Sequence, residues 1–241
     1  SIIDSLLGLD TASVLTSAAG AAVLACAAAI RSGAGLVTLG LPASLSSAVI
    51  KIKPLEVMLR PLPQGKSGAL SVSAYSLVKE FSKKADILLI GPGLSQDRST
   101  QALVRRLVKV IDKPMVIDAD GLNALAGHLD LLRHTTYDIR HTIITPHPGE
   151  MARLLGVSAG EIQRDRENVA KHFAREYGLT VVLKGHNTVV AGQKGDLYIN
   201  KTGNPGMASG GSGDVLSGMI AAFLGQGLDG FFAAKYAVYI H

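Results

Sequence analysis

Four short, largely apolar segments, each followed directly by a polar loop, constrain the fold of this chain more than any other feature. The segments span residues 87–90, 114–117, 142–145 and 181–183. Runs of Val, Ile and Leu are typical of strands buried on both faces of a parallel sheet, and such strands need helical crossovers. Segments with helical spacing lie between them. The sequence therefore predicts an α/β fold with a mostly parallel central sheet and helices on both faces.

Further elements extend this pattern along the chain. We expect helices at 18–31, 73–81 and 98–110, strands at 35–41 and 56–60, and an antiparallel ribbon of 188–191 and 197–200 at the sheet edge. Residues 1–17 show no clear strand. A length of 241 residues with 47% apolar residues suits a single domain, 1–241, with a sizeable core.

A stretch without charges, residues 11–30, could be mistaken for a signal or membrane segment. It consists mostly of Ala, Ser, Thr and Gly, and Asp4 and Asp10 precede it where a signal peptide would carry Lys or Arg. We therefore expect a buried helix here, and no membrane partner.

Charge and cysteine content narrow the partners and the compartment. The 24 Lys and Arg against 19 Asp and Glu give a net charge of +5, but these residues are scattered along the chain. This distribution argues against a nucleic-acid partner. Cys26 is the single cysteine and lies among alanines, so that it forms no internal disulfide. We expect a packing role for Cys26 and a reducing, cytoplasmic setting for the chain.

The polar loops after the apolar segments are the candidate site. Open α/β sheets bind ligands at the carboxyl ends of their strands. We therefore expect the loops at 91–93, 118–120, 145–147 and 184–185 to lie along one rim, together with a glycine-rich segment at 203–213.

The glycine-rich segment precedes an apolar helix and predicts a phosphate site. Its five glycines are Gly203, Gly206, Gly210, Gly211 and Gly213. Glycine takes positive φ angles and lets the backbone approach a ligand, so that successive N–H groups can point at one anion. The amino end of the following helix adds its dipole at the same place.

Asp214 is at odds with a simple anion site, because a carboxylate repels phosphate. Aspartate is a good first-turn residue of a helix, which is one explanation. The other is general-base chemistry, in which the carboxylate takes the proton of a hydroxyl that attacks a phosphoryl group. We favour the base, because the glycine density exceeds what a cap requires.

Polar residues in the other loops are further candidates. Asp118, Asp120 and Asn123 crowd one strand end, where a substrate or hydrated magnesium would use their oxygen atoms. His147 lies between two prolines that fix its direction, and we expect it to contact a ligand. Glu150 either supports the dipole of the next helix or acts indirectly on a metal or water. We treat five other histidines as surface residues: His128, His134, His141, His172 and His241.

Lys184 ends an apolar strand and precedes a short polar turn of Gly185, His186, Asn187 and Thr188. That turn can present amides and hydroxyls to phosphate or adenine, although a lysine that snorkels from the sheet end would look the same. Two familiar nucleotide motifs are excluded. Gln96 replaces the third glycine of a dinucleotide fingerprint, and Asn200 stands where a P-loop needs glycine.

Five segments, taken in their order and spacing, resemble the ADP- or ATP-dependent NAD(P)H-hydrate dehydratases, which are repair enzymes with a ribokinase-like fold. These segments are 91–94, 116–125, 145–156, 183–185 and 204–227, and residues 20–39 resemble that family's first helix and strand. The resemblance extends from about residue 20 to the end of the chain.

The resemblance implies roles for particular residues. Ala21, Gly93, His147 and Asp214 would contact the hydrated nicotinamide nucleotide, whereas Lys184 to Thr188 and Gly213 would contact the adenine nucleotide. The residue patterns described above add Asp120 and Asn123 as substrate-binding candidates, and the amides of Gly210, Gly211 and Ser212 as nucleotide-binding candidates. Mg²⁺ and ADP or ATP are the expected cofactor and co-substrate, no side chain is assigned as a direct metal ligand, and a homo-oligomer is expected.

The implied reaction restores NADH or NADPH from its hydrate by phosphorylation of the hydrate hydroxyl and elimination of phosphate. Asp214 would act as the base, and His147 would orient the substrate. Two alternatives stay open at this point. A small-alcohol kinase of the same fold, of the hydroxyethylthiazole type, would stop at the phosphorylated product, and a non-catalytic nucleotide-binding protein would not need Asp214.

Overall fold

The computed structural model describes residues 11–15, 19–133 and 142–241. Nine strands of these residues form one sheet in the order β3-β2-β1-β4-β5-β6-β7-β8-β9. The strands are β1 Thr11–Leu15, β2 Leu36–Pro42, β3 Met58–Leu62, β4 Ile87–Ile90, β5 Met115–Ile117, β6 Thr142–Ile144, β7 Thr180–Leu183, β8 Val189–Ala191 and β9 Leu197–Ile199. All pairings from β3 to β7 are parallel, and β7–β8 and β8–β9 are antiparallel. The predicted sheet and its edge ribbon are confirmed.

Helices cover both faces of this sheet. They are α1 Ala19–Arg31, α2 Ser46–Val49, α3 Tyr75–Ser82, α4 Arg98–Val110, α5 Asp120–Asn123, α6 Pro148–Leu155, α7 Ala159–Arg164, α8 Arg166–Tyr177, α9 Ser212–Gly225 and α10 Gly230–Ile240. Short 3₁₀ turns occur at Ala43–Leu45, Val72–Ala74, Leu129–Leu132 and Pro205–Met207. Of the helices in residues 19–133 and 142–241, none combines the length and the apolar character that a bilayer crossing requires.

The alternation of side chains along each strand divides the core between the two faces. In β4, Leu88 and Ile90 join the cluster under α3–α8, whereas Ile87 and Leu89 join the cluster under α1, α9 and α10. Successive residues of a strand point to opposite faces, so a strand buried on both faces must be apolar at every position. This is the physical reason for the uninterrupted apolar runs in the sequence.

Small residues bring α1 and α9 into close contact. The buried face of α1 contains Ala22, Ala25, Cys26 and Ala29. A Cβ atom at Gly218 of α9 would overlap the carbonyl group of Ala25, so only glycine fits at that crossing. Burial raises the pKa of the Cys26 thiol to about 12, which keeps the thiol protonated and fits the predicted packing role.

The expectation of one buried helix over residues 11–30 is wrong. Residues 11–15 form β1, which pairs in parallel with both β2 and β4, and the helix begins only at Ala19. This strand is the first of the sheet along the chain, and the sequence pattern of residues 1–17 did not indicate it. Two neighbouring strands supply hydrogen-bond partners on both sides, and such pairing outweighs a weak local preference.

Candidate active site

The loop after β4 and the loop after β5 lie against each other at the carboxyl end of the sheet. Gly91 has a φ of +138°, and a Cβ atom there would overlap the carbonyl group of Asp118. The amide of Asp118 donates to Ile90 O at 3.0 Å, and the amide of Thr145 donates to Ile117 O at 3.2 Å. These backbone bonds bring the three loops together, as the parallel topology predicts.

A cluster of one lysine and two buried carboxylates occupies the centre of this rim. Lys184 Nζ lies 2.7 Å from Asp118 Oδ1 and 3.7 Å from Glu150 Oε2. Asp118 is 1% exposed and Glu150 is 7% exposed. Burial alone would lower the pKa of Lys184, but the attraction of Asp118, Glu150 and Asp214 together outweighs it and raises that pKa. The lysine therefore stays charged and neutralises the buried carboxylates.

Asp214 lies in the first turn of α9, beside this cluster, and is half-buried. A Cβ atom on the adjacent Gly213 would be 3.4 Å from Lys184 Nζ, which places the amino end of α9 directly against the lysine. Burial, and after it the charge of Asp118, raise the pKa of Asp214 to about 6, although the charge of Lys184 opposes both. A carboxyl group with a pKa close to neutral is suited to accept a proton at physiological pH.

The glycine-rich segment presents unpaired amides at the same point. Among the described residues, the backbone N–H groups of Gly210, Gly211, Gly213 and Asp214 have no backbone or side-chain acceptor. The amide of Ser212, by contrast, donates to Ser209 O at 3.3 Å. Ser212 was predicted to offer its amide to the nucleotide together with its neighbours, so this amide is already engaged where the glycine amides are not.

Arg166, which was not among the residues predicted from the sequence, binds the carbonyl groups of the predicted nucleotide loop after β7. Arg166, the first residue of α8, donates to Leu183 O at 2.8 Å, to Lys184 O at 3.1 Å and to His186 O. Thr188 Oγ1 donates to Gly185 O at 2.9 Å and closes the loop. No local sequence pattern around Arg166 indicates this role, because the carbonyl groups that it binds lie about twenty residues further along the chain.

His147 caps α6, a role that was not among those predicted for it from the sequence. Its Nδ1 accepts from the amides of Gly149 at 3.0 Å and Glu150 at 3.3 Å, while Glu150 Oε2 accepts from the amide of His147 at 2.7 Å. Since Nδ1 is an acceptor, the neutral ring carries its proton on Nε2. Nε2 lies 3.5 Å from Glu150 Oε1, and the imidazole is 53% exposed, so a ligand can reach the ring.

Asp120 and Asn123 are engaged with each other and with the neighbouring loop. Asp120 accepts from the amide of Ser95 at 2.9 Å and from the Asn123 amide at 2.9 Å, and Asn123 Oδ1 accepts from Arg153. Both residues lie at the predicted rim and are half-buried. Their hydrogen bonds fix the loop that carries Gly93, which is a positioning role that the sequence did not separate from direct binding.

The backbone is unusual at this rim. Among the described residues, only three residues other than glycine have positive φ angles, namely Ser95 at 71°, Ala119 at 47° and Asn187 at 55°. Each lies in one of the loops that follow β4, β5 and β7. Such conformations cost of order 1–3 kcal/mol each and concentrate at ligand sites, where the surrounding structure enforces them.

The remaining predicted residues flank the cluster. Ala21 is half-buried near the start of α1, one turn before Leu24, whose Cδ1 would lie 2.5 Å from a Cβ atom on Gly211. Gly93 is half-buried with a φ of 67°. Ala21 is therefore carried by the helix that packs against the glycine-rich segment.

The prediction that the other histidines lie at the surface is confirmed for His128 and His172 and is wrong for His241. His128 and His172 are exposed, while His134 and His141 lie outside the described residues. His241 is half-buried, and its Nε2 lies 3.3 Å from Ser212 Oγ at the amino end of α9. Burial lowers the pKa of His241, although its hydrogen bond with Ser212 opposes this shift.

The buried carboxylates of the rim fit a magnesium ion only in part. Asp118 and Glu150 already neutralise Lys184, and the part of the chain that the structure describes contains no group of three or more His, Cys, Asp or Glu side chains arranged around a metal position. Mg²⁺ keeps several waters and commonly binds through one or two carboxylates together with substrate phosphates. A magnesium ion that arrives with nucleotide phosphates would therefore take most of its ligands from phosphate and water, and Asp118 and Glu150 could bind it only in competition with Lys184.

This sheet and its rim define a ribokinase-like α/β protein. The structure resembles that of a ribokinase-like superfamily protein of Enterococcus faecalis, with a TM-score of 0.78 and 26% identity, over 96% of this chain and 76% of that one. It also resembles the ADP/ATP-dependent NAD(P)H-hydrate dehydratase of Bacillus subtilis, co-crystallised with ATP/Mg²⁺ and soaked with CoA. The TM-score is 0.76 and the identity 33%, and the match covers 96% of this chain and 80% of that one.

The chain belongs to the NAD(P)H-hydrate dehydratase family, whose model matches residues 15–241. It is 47% identical over 222 residues to the bifunctional NAD(P)H-hydrate repair enzyme Nnr of Moorella thermoacetica, a match that covers 92% of this chain and 41% of that protein. The chain thus spans about two fifths of the length of that relative. The resemblance deduced from the sequence motifs is confirmed at the level of the family and the fold.

Proposed function

We propose that the chain dehydrates the hydrates of NADH and NADPH, with ADP or ATP as co-substrate. The observation that carries this proposal is the pairing of Asp214, whose pKa is raised to about 6, with unpaired amides on the same turn. The amides can bind phosphate oxygens while Asp214 accepts the proton of a hydroxyl, and transfer of a phosphoryl group to an alcohol requires both. The ADP/ATP dependence of the B. subtilis dehydratase supports the choice of nucleotide and hydrate.

In the first step, Asp214 takes the proton of the hydrate hydroxyl while the hydroxyl oxygen attacks the terminal phosphorus of the nucleotide. The bond between that phosphorus and the leaving nucleotide breaks. The amides of Gly210, Gly211 and Gly213 donate to the oxygens of the phosphoryl group, and the amino end of α9 adds its dipole. Lys184 supplies positive charge beside this position, since a Cβ atom on Gly213 would lie 3.4 Å from its Nζ.

In the second step, the ring nitrogen of the substrate expels phosphate, and loss of a proton from the neighbouring carbon restores the dihydropyridine. Hydroxide is a poor leaving group and phosphate is a good one, which is the reason for the first step. His147 orients the substrate through its Nε2–H, while its Nδ1 is occupied by the cap of α6. Magnesium, when bound with the nucleotide, would neutralise phosphate charge.

One assay tests this proposal. Purified chain is mixed with hydrated NADH or NADPH, magnesium and either ADP or ATP, and the return of the dihydronicotinamide absorbance is followed. We expect nucleotide-dependent return and release of inorganic phosphate in equal amount. No return with either nucleotide, together with phosphorylation of a thiazole alcohol, would replace the dehydratase by a small-alcohol kinase.

A further inference from the structure

In the loop that follows β7, the carbonyl groups have donors within the protein, whereas the N–H groups of four residues have no acceptor in the described part of the chain. Its carbonyl groups at Leu183, Lys184 and His186 accept from Arg166, and its carbonyl at Gly185 accepts from Thr188 Oγ1. Four consecutive carbonyl groups are therefore bound by side chains of the protein. In the described residues, the N–H groups of Gly185, His186, Asn187 and Thr188 have no acceptor.

Because the peptide bond is planar, the contacts of the loop carbonyls also fix the direction of the loop N–H groups. In a trans peptide the carbonyl of one residue and the N–H of the next point in opposite directions. Because the carbonyls of Lys184 and His186 point at Arg166, the N–H groups of Gly185 and Asn187 point away from it. The amide of His186 is likewise set by the bond from Thr188 to Gly185 O. Residues 185–187 are exposed, so these three N–H groups, which have no acceptor among the described residues, belong to a loop that a ligand can reach.

Arg166 is placed at a cost that stability alone does not explain. None of the ion pairs among the described residues includes it, and its Nε atom is buried without a partner. Burial lowers its pKa, which means that the charged form is penalised where it lies. Arg166 as a whole is half-buried, and a partly buried charge without a counter-ion is penalised, so an apolar residue of similar size would often serve stability as well.

We propose that Arg166 is a positioning residue of the adenine-nucleotide site, which holds the carbonyls of the 184–188 loop so that its amides face the acceptor atoms of the nucleotide. This inference rests on the proposed function, in which the same loop binds ADP or ATP. Gly185 is part of the device. Its φ is +140°, and a Cβ atom there would be 3.1 Å from Arg166 Nη2, so a larger residue would push the guanidinium away.

The test compares Arg166→Ala with Arg175→Ala in the same helix. Arg175 is exposed, and its guanidinium lies by Gly195, in the turn between β8 and β9. Without the guanidinium the loop loses the donor that fixes its carbonyls, so we expect KM and Kd for ADP or ATP to rise about tenfold to a hundredfold in Arg166→Ala. The kcat at saturating nucleotide and the KM for the hydrate should stay close to wild type, and Arg175→Ala should change none of these.

Two further measurements separate positioning from folding. Added guanidinium ion should restore part of the nucleotide affinity of Arg166→Ala, and Arg166→Lys should lie between the alanine variant and wild type. Arg166→Met should keep its thermal midpoint while it loses nucleotide affinity. If the alanine variant fails to fold, the lysine and methionine variants carry the test.

The outcomes distinguish the inference from the function on which it rests. Wild-type chain that binds nucleotide and restores the hydrate, with unchanged nucleotide affinity in Arg166→Met, overturns the positioning role alone. A fall in kcat without a change in nucleotide KM overturns it as well. Wild-type chain that binds neither ADP nor ATP in a calorimetric titration overturns both.

Discussion

Two loops at the rim present unpaired amides, and they achieve this in different ways. The segment 210–214 relies on glycines and on the amino end of α9, and it carries Asp214 on the same turn. The 184–188 loop relies on a guanidinium and a hydroxyl that hold its carbonyls. The difference suggests a division of work. The first loop is attached to the carboxylate that we assign as the base, whereas the second has amide donors but no carboxylate, so we expect it to bind the nucleotide without taking part in proton transfer.

The sharpest test of this division is Asp214→Asn. A general base contributes about 10²- to 10⁴-fold to a rate, so we expect kcat to fall by that range while nucleotide affinity stays within a few-fold of wild type. Single-turnover kinetics and calorimetric titration measure the two quantities. A variant that keeps its turnover would remove Asp214 from the chemistry.

Asp214→Asn should also change how the stability of the protein depends on pH. The pKa of Asp214 rises from 3.8 to about 6 on folding, so the folded state binds the proton more tightly and loses stability as pH rises through this window. Asparagine removes that loss. We therefore expect the thermal midpoint of Asp214→Asn to exceed that of wild type at about pH 7.5, and the two to converge below about pH 4.

Alanine at one glycine of each loop should separate their roles. Gly211 has a φ of 88°, and a Cβ atom there would lie 2.5 Å from Leu24 Cδ1, whereas Gly185 has a φ of 140° with Arg166 at 3.1 Å. We expect Gly211→Ala to lower kcat and Gly185→Ala to raise the nucleotide KM, each by about tenfold, equivalent to roughly 1.4 kcal/mol. Steady-state kinetics with nucleotide varied at saturating hydrate measures both.

The control is Gly227→Ala, which has a φ of 86° but no atom within 4 Å of its Cβ position. It should cost about 1 kcal/mol of stability from backbone strain and leave both kinetic constants alone. Equal kinetic effects in all three variants would mean that strain, and not position, explains the loss.

The pH profile links the two loops through charge. Burial and the charge of Asp118 raise the pKa of Asp214, and Lys184 opposes them, so kcat/KM should fall below about pH 6. Asp118→Asn should move this acid limb to lower pH, and Lys184→Met should move it to higher pH. A limb that stays in place in both variants would show that another group controls it.

Thr188→Val should have the smallest effect. It removes one neutral hydrogen bond, from Thr188 Oγ1 to Gly185 O, which contributes about 0.5–1.5 kcal/mol. We expect the nucleotide KM to rise by a few-fold and kcat to stay unchanged. An effect on kcat that exceeds the effect on KM would place this loop in the chemical step.

The central sheet could be predicted because strands buried on both faces must be apolar throughout. The run Ile87–Ile90 satisfies this rule at every position. The strand Thr11–Leu15 could not, because its sequence has few large apolar residues and its conformation depends on pairing with β2 and β4. Short-range patterns contain no information about such partners.

The candidate site divides in the same way. Asp214 and the glycines before it are visible because an acid beside a glycine-rich turn is an unusual local combination. Pro148 and Glu150 are a local signal for the helix start that His147 caps. Arg166 and the ion pair of Lys184 with Asp118, by contrast, depend on side-chain contacts between distant segments that no sequence pattern specifies. These contacts become apparent only when the loops meet at the rim.

In the proposed reaction the hydrate hydroxyl receives a phosphoryl group before it leaves the ring. This step can be followed with hydrate labelled with ¹⁸O at that hydroxyl, turned over with unlabelled nucleotide in unlabelled water. We expect one ¹⁸O atom in each molecule of released inorganic phosphate, as measured by mass spectrometry. Label recovered in water, with unlabelled phosphate, would contradict the proposed reaction.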